Sequence, residues 1–442
     1  MNSHHPSDTI LFYTDVPRIF RTSLIGYLYE IARVFPVVLL SEHLDRESEK
    51  ALKEKALFPR LKKIIPVGQH GTQGLWTDYR RLHNLAKEVV ESYPPSMVIA
   101  TGAFPFENYL RKYAKRKGAV TISAIGPIYG ETKKRNAYHI LNATYVRTPS
   151  FLPSFAQKAM ILARKYTAHF LYYWILPLSL GKAPFIKQPS FPLMGRYERY
   201  KGGADYYVVN LKMDCEALTC EGVPKEKLLL IDHPLAGPSR VLFEKIYFTH
   251  ARRAKNIGKK KATIIWPYDE VGFRDDTHAL ISESVIKETN KKIVLTTLNI
   301  LRGWKIIVKA HPARPDASRI KNIFKKYANI EVVNPLDPID EYIETSDIII
   351  GPSPVSTTLY TASLQCPQKP ILSIDLHKLL LGDSFRHIKG IDYIDKEKEF
   401  MAALISIRDG AYQKKKDNSE EKTFPGIMDA IRFIQKKHTA AL

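Results

Sequence analysis

Residues 9–41 read TILFYTDVPRIFRTSLIGYLYEIARVFPVVLLS. Residues 9–13 form a short apolar, β-rich run, the composition of a strand buried on both faces. Residues 22–35 carry apolar side chains at helical spacing, and residues 36–41 turn apolar and β-rich again after Pro36. Strand, helix and strand in one stretch make a βαβ unit, which predicts a parallel sheet, because parallel neighbours need a crossover between them.

The alternation continues on both sides of a break. Strand-like runs at 63–67, 96–101 and 119–125 are separated by helical patterns at 75–92 and 106–117, and strands resume at 204–210 and 227–231. A helix and a basic run occupy 238–261. The rhythm then restarts, with strands at 262–266, 305–310, 330–333, 347–350 and 370–374 and helical patterns at 278–302 (in part), 317–327, 340–345 and 356–364. A last helix is expected at 426–437, and no repeat of 20–50 residues is present. The pattern predicts an α/β protein of two doubly wound, Rossmann-like domains, 1–237 and 238–425, facing a central cleft. A C-terminal helix follows at 426–442, and an insert interrupts the first domain near 150–201.

Length and composition agree with such a chain. At 442 residues, 45% hydrophobic and 25% charged, it has enough apolar residues for two or three globular domains. Cys215, Cys220 and Cys366 are too few for a secreted disulfide framework, and their spacing lacks a second zinc-ligand pair. No metal site or cofactor is expected. The polar start of the chain does not read as a signal peptide, and no apolar run reaches the ~18–20 residues that span a bilayer. A cytoplasmic setting is therefore expected. The formal charge of +22 suits a polyanionic partner, whether phosphorylated substrate, anionic membrane or nucleic acid. The basic runs at 252–261 and 414–416 have few aromatics beside them, which argues against a nucleic-acid binder.

The break itself is unusual. Residues 168–180 read AHFLYYWILPLSL, and around them stand Lys158, Arg164, Lys165, Lys182, Lys187, Arg196, Arg199 and Lys201 against Glu198 alone. An apolar patch with Phe170, Tyr172, Tyr173, Trp174 and Ile175 inside a basic surround fits a helix lying in an anionic membrane surface, at the inner face of the cytoplasmic membrane. The other reading is a core helix with a solvated basic flank.

Candidate chemistry gathers at strand ends, where open α/β sheets bind ligands. Lys309, Ala310, His311 and Pro312 directly follow an apolar strand, and an imidazole there can serve a phosphate or a leaving-group oxygen. After the apolar run 347–350 come Gly351, Ser353, Ser356, Thr357 and Thr358, a hydroxyl-rich turn into a helix, whose N-terminus suits phosphate. Asp269 and Glu270, just after the strand at 262–266, can supply a general base. In the first half Asp15, Arg18 and Glu107 follow strands and are candidates for the acceptor side, with Asp15 a further candidate base. Glycine-rich dinucleotide and P-loop fingerprints, H-E-x-x-H and D-x-D are absent from the sequence.

With these residues in place, the chain resembles the GT-B glycosyltransferases over nearly its whole length. Lys309 to Pro312 resembles the HP motif of bacterial sialyltransferases and related capsule and surface-polysaccharide enzymes, and Ser353 to Thr358 is similar to their Ser/Thr motif. The resemblance implies that His311, with Lys309, Ser353, Ser356, Thr357 and Thr358, serves the donor phosphate. Asp269 to Gly272 loosely resembles their acidic motif, with an extra residue before Gly272. Asp269, Glu270 and Asp15 therefore all stand as candidate bases. The implied activity is inverting, metal-independent transfer of a sugar from a nucleotide-sugar, CMP- or UDP-linked, to a surface glycan or lipid-linked acceptor. Similar elements occur in polyol-phosphate transferases, and the same layout resembles the nucleotide-sugar 2-epimerases, whose His-Gly-Asp type signature is not visible here.

Overall fold

The computed structural model describes residues 8–14, 20–42, 44–68, 75–101, 105–124, 204–220, 223–247, 259–267, 273–275, 277, 279–311, 317–352, 357–379, 386, 388–414 and 423–439. The chain divides into two compact units. One holds the described residues up to Leu242 together with 423–439, and the other holds those from Phe243 to Lys414.

The first unit runs β1 (Ile10–Thr14), α1 (Ile25–Ile31), β2 (Val37–Ser41), α2 (Arg46–Leu52), β3 (Leu61–Pro66), α3 (Leu75–Ser92), β4 (Met97–Ala100), α4 (Pro105–Arg116), β5 (Val120–Ala124), β6 (Tyr206–Val209), α5 (Lys212–Cys220) and β7 (Leu228–Leu230). Its seven strands lie in the order β3-β2-β1-β4-β5-β6-β7, every neighbour parallel. The opening βαβ reading holds. A π-helical turn, Phe20–Leu24, precedes α1, which ends at Ile31, so the regular α-helix is shorter than the apolar spacing predicts. Leu11, Tyr13, Val38, Leu40, Val98 and Ala100 make one face of the sheet and pack under α3 and α4.

Asp205 fastens the sheet where the described chain resumes at β6. Its backbone N–H donates to the Thr121 carbonyl at 2.8 Å, and its carboxylate takes the Thr121 N–H at 2.9 Å and the Lys115 ammonium at 2.7 Å. Burial pushes this carboxyl up, but the bonds from Lys115 and Thr121 together outweigh it and hold it below the usual range.

The joining helix α6 (Arg240–Ile246) leads to the second unit. There follow β8 (Lys261–Ile265), β9 (Phe273–Arg274), β10 (Leu280–Ile281), α7 (Glu283–Ile300), β11 (Lys305–Lys309), α8 (Ser318–Phe324), β12 (Ile330–Val333), α9 (Ile339–Thr345), β13 (Ile348–Pro352), α10 (Thr357–Gln365), β14 (Ile371–Ile374), β15 (Asp392–Ile394) and α11 (Glu397–Arg408). The main sheet has the order β12-β11-β8-β13-β14-β15, again wholly parallel. A small antiparallel hairpin, β9 with β10, stands where the sequence suggested the start of a helix. The long helix begins only after it, capped by Ser282, whose side chain accepts from Val285 N–H. Ile264, Ile306, Val308, Ile348, Ile350, Leu372 and Ile374 form the heart of this core, with Phe400 and Leu404 of α11 against it.

The last helix, α12 (Ile427–Thr439), belongs to the first unit. Thr423 and Phe424 donate their N–H groups to the Leu230 carbonyl, and Phe424 bridges Ile231 beside β7. Ile427, Ala430, Ile431 and Ile434 are buried. None of the described helices is long and apolar enough to cross a membrane.

Candidate functional site

In the second unit, β8 starts the sheet, β11 and β12 add to one side, and β13, β14 and β15 to the other. The order therefore reverses between β8 and β13. In such sheets the crevice at the carboxyl ends beside the reversal is where ligands bind. Three strand ends border it: Ile265-Trp266 after β8, Lys309-Ala310-His311 after β11, and Gly351-Pro352 at the close of β13. The Trp266 N–H donates to the Lys309 carbonyl at 2.9 Å, tying the first two together. Trp266 itself is buried edge-on against Phe324, 5.9 Å between ring centroids, and belongs to the core.

His311 is half-buried where the chain leaves β11, the strand-end position expected of it. Lys309 does something other than expected. Its side chain is buried, and its ammonium donates to the backbone carbonyls of Asn334, at 3.0 Å, and Pro335, at 2.6 Å. It clamps the end of β11 to the turn after β12, where a donor-phosphate ligand was anticipated. Sequence reading missed this because the two carbonyls come from a neighbouring strand end.

α10 begins at Thr357, with Thr358 half-buried in its first turn. Gly351 explains how closely this helix approaches β13. A Cβ at Gly351 would collide with the Leu359 side chain, so glycine lets this buried leucine of α10 pack directly onto the strand. That approach brings the start of α10, the positive end of its dipole, to the carboxyl edge of the sheet.

The turn after β14 adds groups that motif reading missed. Ile374 pairs with Pro352 of β13, so Asp375 lies next to the β13 end. Asp375 is buried, and its carboxylate accepts the Leu379 N–H at 3.0 Å and the Tyr393 hydroxyl at 2.6 Å. Burial pushes its carboxyl up to about 6, against the opposing pull of the Leu379 and Tyr393 bonds and of Arg386. Burial raises the Tyr393 hydroxyl too, and Asp375 beside it adds to the shift. The Arg386 guanidinium sits over the Tyr393 ring, 4.9 Å from its centroid, and pairs with Asp395 at 3.6 Å. His377 in the same turn is bonded to Thr289 of α7 at 2.7 Å, and burial lowers its pKa. Leu379 forms a bridge with Asp275, which follows β9. The strand-end rule applied to Asp375, directly after the apolar run 371–374, is the signal that could have found this group.

In the first unit the reversal lies between β1 and β4. The Tyr13 hydroxyl there donates to Glu42 at 2.8 Å, and its ring packs on Phe106 at 5.0 Å. Glu107, expected at the acceptor side, is fully buried in the first turn of α4 and ion-paired with the buried Arg111 one turn on. It sits in the interior, held by a partner on its own helix, and not on an exposed strand-end surface. Asp15, Arg18, Asp269, Glu270, Ser353 and Ser356 lie outside the described residues, as do Phe170, Tyr172, Tyr173, Trp174 and Ile175. The side chain of Thr357 is also not described. Among the described residues no group of His, Cys, Asp and Glu is arranged to hold a metal ion.

No protein-family model and no curated protein matches the sequence. Solved structures do match its fold. A UDP-GlcNAc 2-epimerase from Methanocaldococcus jannaschii is similar at 12% identity and TM-score 0.55, covering 97% of this chain and 98% of that one. A UDP-GlcNAc 2-epimerase from Neisseria meningitidis, bound to UDP-GlcNAc, is similar at 12% identity and TM-score 0.51, with 91% of each chain covered. A structure described as a UDP-N-acetylglucosamine 2-epimerase from Listeria monocytogenes gives 11% identity and TM-score 0.52, covering 91% and 88%. At such identities the likeness is one of fold: two Rossmann-like domains of the GT-B-like kind.

Proposed function

We propose that this chain is an enzyme acting on a nucleotide-sugar, with the diphosphate held at the carboxyl ends of β11 and β13. The observation that carries the reading is the placement of His311 and the α10 N-terminus on strand ends flanking the point where the strand order reverses. Breaking the bond between sugar and phosphate leaves negative charge on the nucleotide. An imidazole and a helix start directed at that charge favour the departing group.

Two reactions fit. The fold likeness to three 2-epimerases favours epimerisation of a nucleotide-sugar, and it is the first to test. The resemblance of Lys309 to Pro312 and of Ser353 to Thr358 to the motifs of surface-polysaccharide enzymes favours glycosyl transfer. Under that second reading Asp269, Glu270 or Asp15 takes the acceptor proton. The aromatic segment 170–175 would then meet the membrane carrying a lipid-linked acceptor.

The test is one set of incubations. Purified protein is mixed with UDP-GlcNAc, and separately with CMP- and UDP-sugars plus glycan acceptors, and products are separated by chromatography. Conversion without an acceptor marks an epimerase; release of nucleotide only with an acceptor marks a transferase. His311→Ala is expected to lose turnover by ~100-fold or more while its unfolding transition is kept. A fully active variant removes His311 from the mechanism, and failure of every nucleotide to stabilise the wild type refutes the reading.

A further inference from the structure

Lys378 is the one residue other than glycine, among those described, with a backbone in the left-handed region, at φ +49°. Glycine takes this conformation without steric cost, whereas a lysine is strained there. The strain is held by the neighbouring contacts. The Lys378 N–H donates to the Asp375 carbonyl at 3.2 Å, the Asp375 carboxylate takes the next N–H, of Leu379, and the Asp375 N–H is fixed to the Ile394 carbonyl at 2.8 Å. The turn is held again by the His377–Thr289 bond and by the Leu379–Asp275 bridge.

The place of this turn gives the strain a meaning. It leaves β14, the neighbour of β13, and adjacent strands lie only about 4.8 Å apart. The other described cations at the carboxyl ends of this sheet are engaged. Lys309 is held by two carbonyls, Arg386 by Asp395 and Tyr393, and Lys396 by Glu399 at 2.8 Å. Lys378 is exposed, with no hydrogen bond or ion pair from its ammonium among the described residues. A diphosphate at this edge needs a cation, and the lysine expected to supply it is buried elsewhere.

We propose that Lys378 is a phosphate-binding residue of the candidate site, carried on a strained turn that Asp375 fastens. The assignment rests on the nucleotide-sugar reading and names the group that meets the nucleotide's terminal phosphate. Strained backbone at a ligand edge is a recurrent sign of such a role.

The experiment compares wild type, Lys378→Gly and Lys378→Arg by thermal unfolding and by calorimetric titration. The probe is whichever of UDP, CDP, GDP and CMP the wild type binds most tightly, set against the matching nucleoside without phosphate. Lys378→Gly is expected to unfold ~2 °C higher, because strain is relieved. It is also expected to bind the nucleotide about tenfold more weakly, the order of one charge-assisted hydrogen bond. Its affinity for the nucleoside stays that of wild type, which a general loosening of the turn would not allow. Lys378→Arg keeps most of the nucleotide affinity. Nucleotide binding by Lys378→Gly equal to wild type overturns this assignment and leaves the broader reading standing. A wild type that binds none of the four nucleotides overturns both.

Discussion

Burial holds a proton on Asp375 at pH values where an ordinary aspartate has lost it. Its carboxyl is raised from 3.8 to about 6. Between those values the folded chain keeps a proton that the unfolded chain has released, so stability from this group is present below about pH 4 and is lost as pH rises through 6. The full difference is on the order of 3 kcal/mol, of which roughly 2 falls between pH 4.5 and 7.5. Asp375→Asn removes the titration, and its stability relative to wild type is therefore expected to be higher at pH 7.5 than at pH 4.5. Urea unfolding of both proteins at the two pH values measures this; parallel pH dependence in the two would show that Asp375 does not carry it. Glu30, also raised by burial, titrates in both proteins and cancels from the comparison. Glu107 shows the contrasting way of burying a carboxylate, with a guanidinium one turn away on the same helix.

At the scale of elements, the contact between β13 and α10 sets the candidate site. Gly351→Ala puts a methyl group into the space held by the Leu359 side chain, and that buried side chain has to move to admit it. Overpacking of this kind costs about 1–3 kcal/mol. Leu359 stands in the first turn of α10, so its displacement is expected to disturb the helix start and to lower nucleotide affinity along with stability. Paired thermal unfolding and nucleotide titration test this; destabilisation with unaltered nucleotide affinity would separate α10 from the site. The elements themselves were legible to different degrees. Parallel strands buried on both faces read as unbroken apolar runs, which made β11 and β13 plain. β15 was not, since Asp392 and Tyr393 interrupt it, and the two-residue strands of the hairpin β9–β10 carry too little pattern to read. α2 had a usable signal in Asp45, whose side chain caps the helix by accepting from Ser48 N–H, and α11 had one in the spacing of Phe400, Leu404 and Ile407.

At the scale of the whole molecule, repeated alternation was enough to predict two parallel sheets, and both are present. The order of strands within them was not legible, and the candidate site depends on it. His311 and Thr358 could be picked out as residues that follow strands. Asp375 follows a strand in the same way, but its place beside β13, and that of Lys378, shows only once β14 is known to lie next to it. The two carbonyls that take the Lys309 ammonium were hidden for the same reason. Removing residues 422–442 tests the other feature invisible to local pattern, the return of α12 to the first unit. It uncovers the surface that Ile427, Ala430, Ile431 and Ile434 cover, worth several kcal/mol at about 1.5–3 per large side chain. Hydrogen exchange on the truncated chain is expected to quicken in β7 and α1 and to leave β11 and β13 protected. Equal loss of protection in both sheets would mean that the units do not unfold separately.

That return also sets an order of events during synthesis. The ribosome releases β8 through α11 before it releases the segment that closes the first sheet. A nascent chain thus carries a finished second unit while the first still exposes the apolar ground meant for α12, and in that interval the first unit is the one in need of a chaperone.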